Sequence, residues 1–234
     1  FDAFYGVPYS NDMPGFALYE GDEMIEQPVE QATLTQRYTR RAVDFIRQST
    51  DAPFFLFMSH TFPHIPLYAS PRFRGKSAAG LYGDTVEELD WSTGELVAAL
   101  RETGALRNTL IFFTSDNGPI WWPEDTKTSG HSATSVYRGM KFDVWEGGHR
   151  MPFIASWPGV VEAGSTSEQM ISNTDMLATF ADLVGETLPI DAGEDSYSFL
   201  HALYGADGGR PIRETLVGQA LDVRPDRDML YIRQ

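Results

Sequence analysis

Apolar positions along the chain change their spacing several times, and each change predicts an element. From Thr33, the residues Leu34, Tyr38, Ala42, Phe45 and Ile46 recur at the interval of one helical face, which predicts a helix that ends before Pro53. Residues 54–58, FFLFM, form a continuous apolar run and predict a strand buried on both faces, as in a parallel sheet. A second helix is predicted over about residues 84–100, with Val86, Leu89, Leu96, Val97 and Leu100 as its apolar stripe and Gly104 at its exit. The β-prone run TLIFFTSDNGP, residues 109–119, stops at Asp116-Asn117, and residues 121–141 then read as a long polar loop. MPFIASWPG predicts a third strand and residues 175–184 a third helix, with Thr174 or Asp175 as N-cap. ETLVGQA predicts a fourth strand, RDMLYIRQ is strand-like, and residues 1–32 are turn-rich. Strands alternating with helices predict an α/β fold with a mainly parallel sheet flanked by helices. Ligands of such sheets bind beyond the carboxyl ends of the strands. The loops SHTFPH and SDNGP both follow strand ends, and they share one crevice if their strands are neighbours.

Composition narrows the function classes. The chain has 234 residues, enough for one large domain or one and a half. Its formal charge of −15 argues against a nucleic-acid partner and leaves no basic patch for an anionic membrane surface. A local cationic site for an anionic substrate stays compatible with that field. There is no cysteine, so disulfides, thiolate metal sites and a Cys nucleophile are excluded within these residues. No apolar run is long enough to span a bilayer. The beginning, FDAFYGVPYS, and the final RDMLYIRQ both read as cut ends of a longer chain. No Walker A loop, G-x-G-x-x-G or H-E-x-x-H is present, and GHSAT at 130–134 lacks the last glycine of a nucleophile elbow.

Three stretches could carry chemistry. Asp116 and Asn117 offer hard oxygen ligands suited to Ca²⁺ or Mg²⁺, or they simply build an Asp-Asn-Gly turn. Two residues do not fill a Ca²⁺ shell of about six to eight oxygens. His64, set between Pro63 and Ile65-Pro66, is either a proton donor or anion ligand or a loop histidine on a carbonyl; His60 reads as structural. Lys141, in YRGMKFDVWEGGHRMPF, is either a point charge for a tetrahedral oxyanion or a solvated surface charge. Arg150 is placed to pair with Glu146 or to cap the next strand.

Taken in order, FDAFYGVPYSNDM, EQPVEQATLTQRYTRRAVDFI, PFFLFMSHTFPHIPL, YGDTVEELDWSTGELVAALRETG and TLIFFTSDNGP with YRGMKFDVWEGGHRMPFIASWPG resemble the type I sulfatases. These form the arylsulfatase branch of the alkaline-phosphatase-like superfamily, and the resemblance runs from Phe1 to about Leu183. It implies a sulfuric ester hydrolase acting on a small-molecule or carbohydrate sulfate ester. Asp116 and Asn117 become ligands of Ca²⁺, less often Mg²⁺; Lys141 contacts the sulfate; His64 protonates the departing alcohol. The family's adjacent Asp pair, its upstream Lys-x-His pair and its C/S-x-P-x-R motif, whose Cys or Ser becomes formylglycine, do not occur here. The resulting expectation is a sulfatase piece: residues 1–185 from the catalytic domain and 186–234 the start of a C-terminal subdomain, inactive alone for want of formylglycine. The resemblance also implies a periplasmic or secreted location, and it assigns no oligomeric state. The alternatives are a phosphodiesterase or phosphonate hydrolase of the same superfamily, or a non-catalytic remnant or binder of sulfated ligands.

Overall fold

The helical spacing after Thr33 yields α1 (Leu34–Gln48), whose buried positions include Leu34, Tyr38, Ala42 and Ile46 as the pattern predicts. The computed structural model describes residues 1–49, 51–206, 210–220 and 229–234. They fall into two compact units: Phe1–Leu106 with Lys127–His131, and Arg107–Thr126 with Ser132–Gln234.

In the first unit the turn-rich start forms an antiparallel sheet of β1 (Tyr5–Gly6), β2 (Leu18–Glu20) and β3 (Glu23–Glu26), in that order. Leu18, Leu34, Tyr38 and Phe62 close a core beside it. The second helix, α2 (Gly80–Glu102), starts earlier than predicted; it buries Leu100 as the stripe predicts, but its buried side in the first half is polar. Val86 is exposed, whereas Asp84, Thr85, Glu88 and Ser92 are buried. The reason is hydrogen bonding. Asp84 accepts the amides of Gly75, Lys76 and Ser77, and Glu88 accepts that of Ser70. Ser92 meets Thr39 of α1 at 2.6 Å. Loop amides packed against a helix need acceptors, and α2 turns its polar side to supply them. Residues 54–58 are not assigned as a strand. Phe55 and Phe57 are 56% and 68% exposed, so burial on both faces is corrected to an alternating, half-covered extended segment. Such a run forms a strand only with a ladder partner.

The second unit holds β4 (Ile111–Thr114), α4 (Glu146–His149), β5 (Phe153–Ser156), α5 (Asp175–Val184), α6 (Leu200–Leu203), β6 (Leu216–Ala220) and β7 (Met229–Arg233). A further helix, α3 (Pro123–Ser129), lies inside the stretch expected to be a polar loop. Its signals were present: proline at the first helical position, then Glu124 and Asp125 in the first turn. The helix α5 has the predicted bounds and closes on Gly185 at φ 75°. Thr174 precedes it without a side-chain cap. Asp175, fully buried, accepts the amides of Ser172 and Tyr197 and pairs with buried Arg213. Phe112 of β4 packs on Phe153 and Phe199, with ring centroids 5.3 and 5.7 Å away.

Helices and short sheets give the α/β class, but the pairing direction differs from the expectation. All three sheets of the described residues are antiparallel, and parallel pairing is confined to the isolated bridge Pro158–Val161. Parallel neighbours need a crossover that returns the chain to the starting end of the first strand. The segment after β4 instead ends where β4 ends, so Thr114 faces Phe153 and Ile111 faces Ser156. Among the described residues no helix is long and apolar enough to cross a membrane.

Candidate active site

The antiparallel register puts the finish of β4 and the start of β5 at one end of their sheet. Asp116 and Asn117 follow β4 directly, and the lysine loop leads into β5. The two segments interlock through their backbones. Gly118 donates its amide to the Gly148 carbonyl at 2.9 Å, and Lys141 donates its amide to the Pro119 carbonyl at 2.8 Å. Only glycine fits this crossing. A Cβ on Gly118 would lie 2.0 Å from the Gly147 oxygen, and one on Gly147 would lie 2.3 Å from the Gly139 oxygen.

The side chains left over at this crossing are polar. Asp116 is exposed; one carboxylate oxygen accepts a long 3.4 Å bond from Ser115 Oγ. Asn117 donates Nδ2 to the Gly118 carbonyl at 2.9 Å, which turns Oδ1 away from that bond as an uncommitted oxygen. One carboxylate and one carboxamide oxygen fit the donor chemistry of Ca²⁺ or Mg²⁺ as part of a shell. Among the described residues no group of three His, Cys, Asp or Glu completes one. Lys141 is half-buried, has no ion-pair partner among the described residues, and has Nζ 5.4 Å from the Phe142 ring centroid. The turn that carries it closes by Asp143 N to the Met140 carbonyl at 2.9 Å, and Met140 N in turn donates to Asp143 Oδ2.

Glu146 anchors the far side of this loop. It accepts Arg233 of β7 at 2.6 and 2.8 Å and Arg150 at 2.9 Å, which bears out the pairing with Arg150. Burial pushes the Glu146 carboxyl up, but the two guanidinium groups outweigh it and hold it below the usual range. His149 stacks on Tyr231 at 4.3 Å, and burial lowers its imidazole below the ordinary value.

His64 belongs to the first unit. Its Nδ1 meets two acceptors, the Ile65 carbonyl at 2.6 Å and Asn11 Oδ1 at 3.2 Å. That pattern makes Nδ1 the donor of the ring. Asn11 is itself fixed, donating Nδ2 to Gln31 and to the Pro66 carbonyl. Sequence reasoning missed Asn11, because it lies 53 residues from His64 and no local spacing links them. His60 is structural as expected: it packs beside Tyr38, touches Ser92 at 3.4 Å, and burial lowers its imidazole to about 4. The structure therefore brings the Asp116-Asn117 segment and the Lys141 loop together in one unit, and His64 belongs to the other.

The sequence model of the Sulfatase family matches residues 1–186. Human steryl-sulfatase is 41% identical over 184 residues, covering 78% of this chain and 32% of its own length. An N-acetylgalactosamine-6-O-sulfatase of Bacteroides thetaiotaomicron is 37% identical over 189 residues, covering 79% and 36%. A solved structure from Bacteroides thetaiotaomicron, described with its metabolism of multiple glycosaminoglycans, aligns with TM-score 0.79 at 30% identity over 99% of this chain and 48% of that one. The chain thus spans about a third of the length of the curated relatives it matches.

Proposed function

Because the chain belongs to the sulfatase family, we propose that it serves the hydrolysis of a sulfate monoester to an alcohol or phenol and sulfate. The observation that carries this reading is the interlocked pair of loops that sets Lys141 and Asp116-Asn117 on one glycine-built frame. Asp116 and Asn117 Oδ1 would hold part of the shell of a Ca²⁺ ion, or less often Mg²⁺, and the bound ion would supply positive charge beside the sulfate oxygens. Lys141 adds a fixed positive charge against those oxygens as charge builds on them. His64 gives the proton at Nε2 to the departing oxygen, while Asn11 Oδ1 and the Ile65 carbonyl hold Nδ1–H and fix the ring. No residue among these 234 supplies the formylglycine that the family uses, since cysteine and the C/S-x-P-x-R pattern are both absent. No step is drawn through it.

The proposed substrate is a small-molecule or carbohydrate sulfate ester, and the names steryl-sulfatase and N-acetylgalactosamine-6-O-sulfatase of two relatives support that class. A periplasmic or secreted location and a domain boundary near residue 185 belong to the same proposal, and the family match ending at residue 186 supports the boundary. The test is a rate comparison of the complete gene product on 4-nitrophenyl sulfate and 4-nitrophenyl phosphate. Faster sulfate cleavage is expected. Preference for the phosphate ester overturns the reading in favour of a phosphohydrolase of the same superfamily.

A further inference from the structure

Phe142 occupies a position that folding alone disfavours. It is the third residue of the turn Met140 to Asp143, closed by the Asp143 amide, and its φ is 78°. That position of such a turn demands a left-handed backbone and favours glycine. A bulky L-residue there carries steric strain. The ring gains little in return, because it is 66% exposed and packs on no other aromatic ring among the described residues. Its ring faces the ammonium of the neighbouring Lys141, 5.4 Å from its centroid. A strained residue at the tip of a site loop is the usual mark of a functional constraint. Other features of the loop hold the turn without it. Asp143 ties down both ends of the turn, and Gly148 is packed under it, where a Cβ would lie 2.4 Å from the Asp143 oxygen.

We propose that Phe142 is a specificity-determining residue: its exposed ring stacks on the cyclic carbon framework that carries the sulfate while Lys141 holds the sulfate itself. A sulfate borne on a ring with an apolar face is then preferred over one borne on an open alkyl chain. This rests on the sulfatase reading of the site. An aromatic face beside a cation recognises such an ester in two halves, the ring by contact and the anion by charge.

The test uses the complete gene product and three variants: Phe142→Gly, which removes both ring and strain; Phe142→Tyr, which keeps the ring; and Phe142→Asn, which tolerates the left-handed backbone without a ring. Expected for Phe142→Gly is a KM for 4-nitrophenyl sulfate raised about tenfold, an unchanged inhibition constant for inorganic sulfate, and a melting temperature at or above the parent's. Phe142→Asn should behave likewise, and Phe142→Tyr should keep the parent KM. An unchanged KM in Phe142→Gly overturns the proposal. So does a parallel rise in KM and in the sulfate inhibition constant, which would make Phe142 a support for Lys141. A lowered melting temperature in Phe142→Gly also overturns it, by showing the ring to be a packing element. A parent enzyme that cleaves no sulfate ester would refute the sulfatase reading itself and this inference with it, and the parent's own rate separates that failure from the others.

Discussion

Replacing Gly118 by Ala puts a methyl group 2.0 Å from the Gly147 carbonyl oxygen and 2.8 Å from the Gly148 carbonyl carbon. Ordinary contact begins at 3.4 Å, so the two loops must part by about 1.4 Å, and no rotamer change relieves a clash with backbone. Parting them stretches the 2.9 Å bond from the Gly118 amide to the Gly148 carbonyl. Overpacking of this kind costs about 1–3 kcal/mol, and a lost buried hydrogen bond about 1 kcal/mol more. The expected penalty of about 2–4 kcal/mol lowers the melting temperature by roughly 5–15 °C for a chain of this size. The assay is a calorimetric or circular-dichroism melt of the 234-residue chain. Gly94→Ala is the control: that glycine lies inside α2, and an added Cβ would meet nothing within 4 Å. It should stabilise by up to about 1 kcal/mol. A Gly118→Ala melt within about 1 °C of the parent would refute the interlock as described, and with it the reason for glycine at both crossings.

Other predictions follow from the same geometry. Asp84→Ala strands the Gly75, Lys76 and Ser77 amides and should cost about 3 kcal/mol in a denaturant titration; a loss below about 0.5 kcal/mol would contradict it. Burial pushes the Asp84 carboxyl up, but the amides of Ser77, Gly75 and Lys76 outweigh it and hold it below its usual 3.8, so its stabilisation is present above that value and is lost as pH falls through the lower folded value. His60 takes up its proton near 6.5 in the unfolded chain but only at about 4 when folded. Its contribution is therefore full above pH 6.5 and shrinks towards pH 4, and His60→Gln should flatten the melting temperature over that window; an unchanged slope removes His60 as the cause. Lys141→Ala in the complete gene product should lower kcat/KM for 4-nitrophenyl sulfate about 10²–10³-fold, and unaltered kinetics would take Lys141 out of the site.

The parts legible in the sequence were those governed by local rules. The strand β5 and the helix α5 were read because a turn residue, an apolar period and a terminal glycine lie within a dozen positions of one another. The candidate residues Asp116, Asn117, His64 and Lys141 were found from their loops and from the family resemblance. What escaped was set by distant partners. Whether the buried side of α2 is Val86 or Glu88 depends on which loop amides need acceptors, and Ser70 lies 18 residues from Glu88. The exposure of Phe55 and Phe57 depends on ladder partners rather than on their own hydrophobicity. Asn11 has no periodicity that points to His64. The helix α3 was missed for a different reason, since polar composition outweighed a clear proline and acidic start in the reading.

The ion cluster at Glu146 also sets a schedule for biosynthesis. Its arginine partner on β7 lies 87 residues further along the chain. At translation speeds of about 5–20 residues per second, roughly 4–17 seconds separate the making of Glu146 from the making of Arg233. During that interval Glu146 has Arg150 but not Arg233 as a guanidinium partner, and the stacking of Tyr231 on His149 has not begun. The glycine-built interlock can therefore close before the ion cluster at its Glu146 side is complete. A nascent chain stalled between those two residues would hold its lysine loop by the backbone bonds to Gly118 and Pro119, without the clamp from β7.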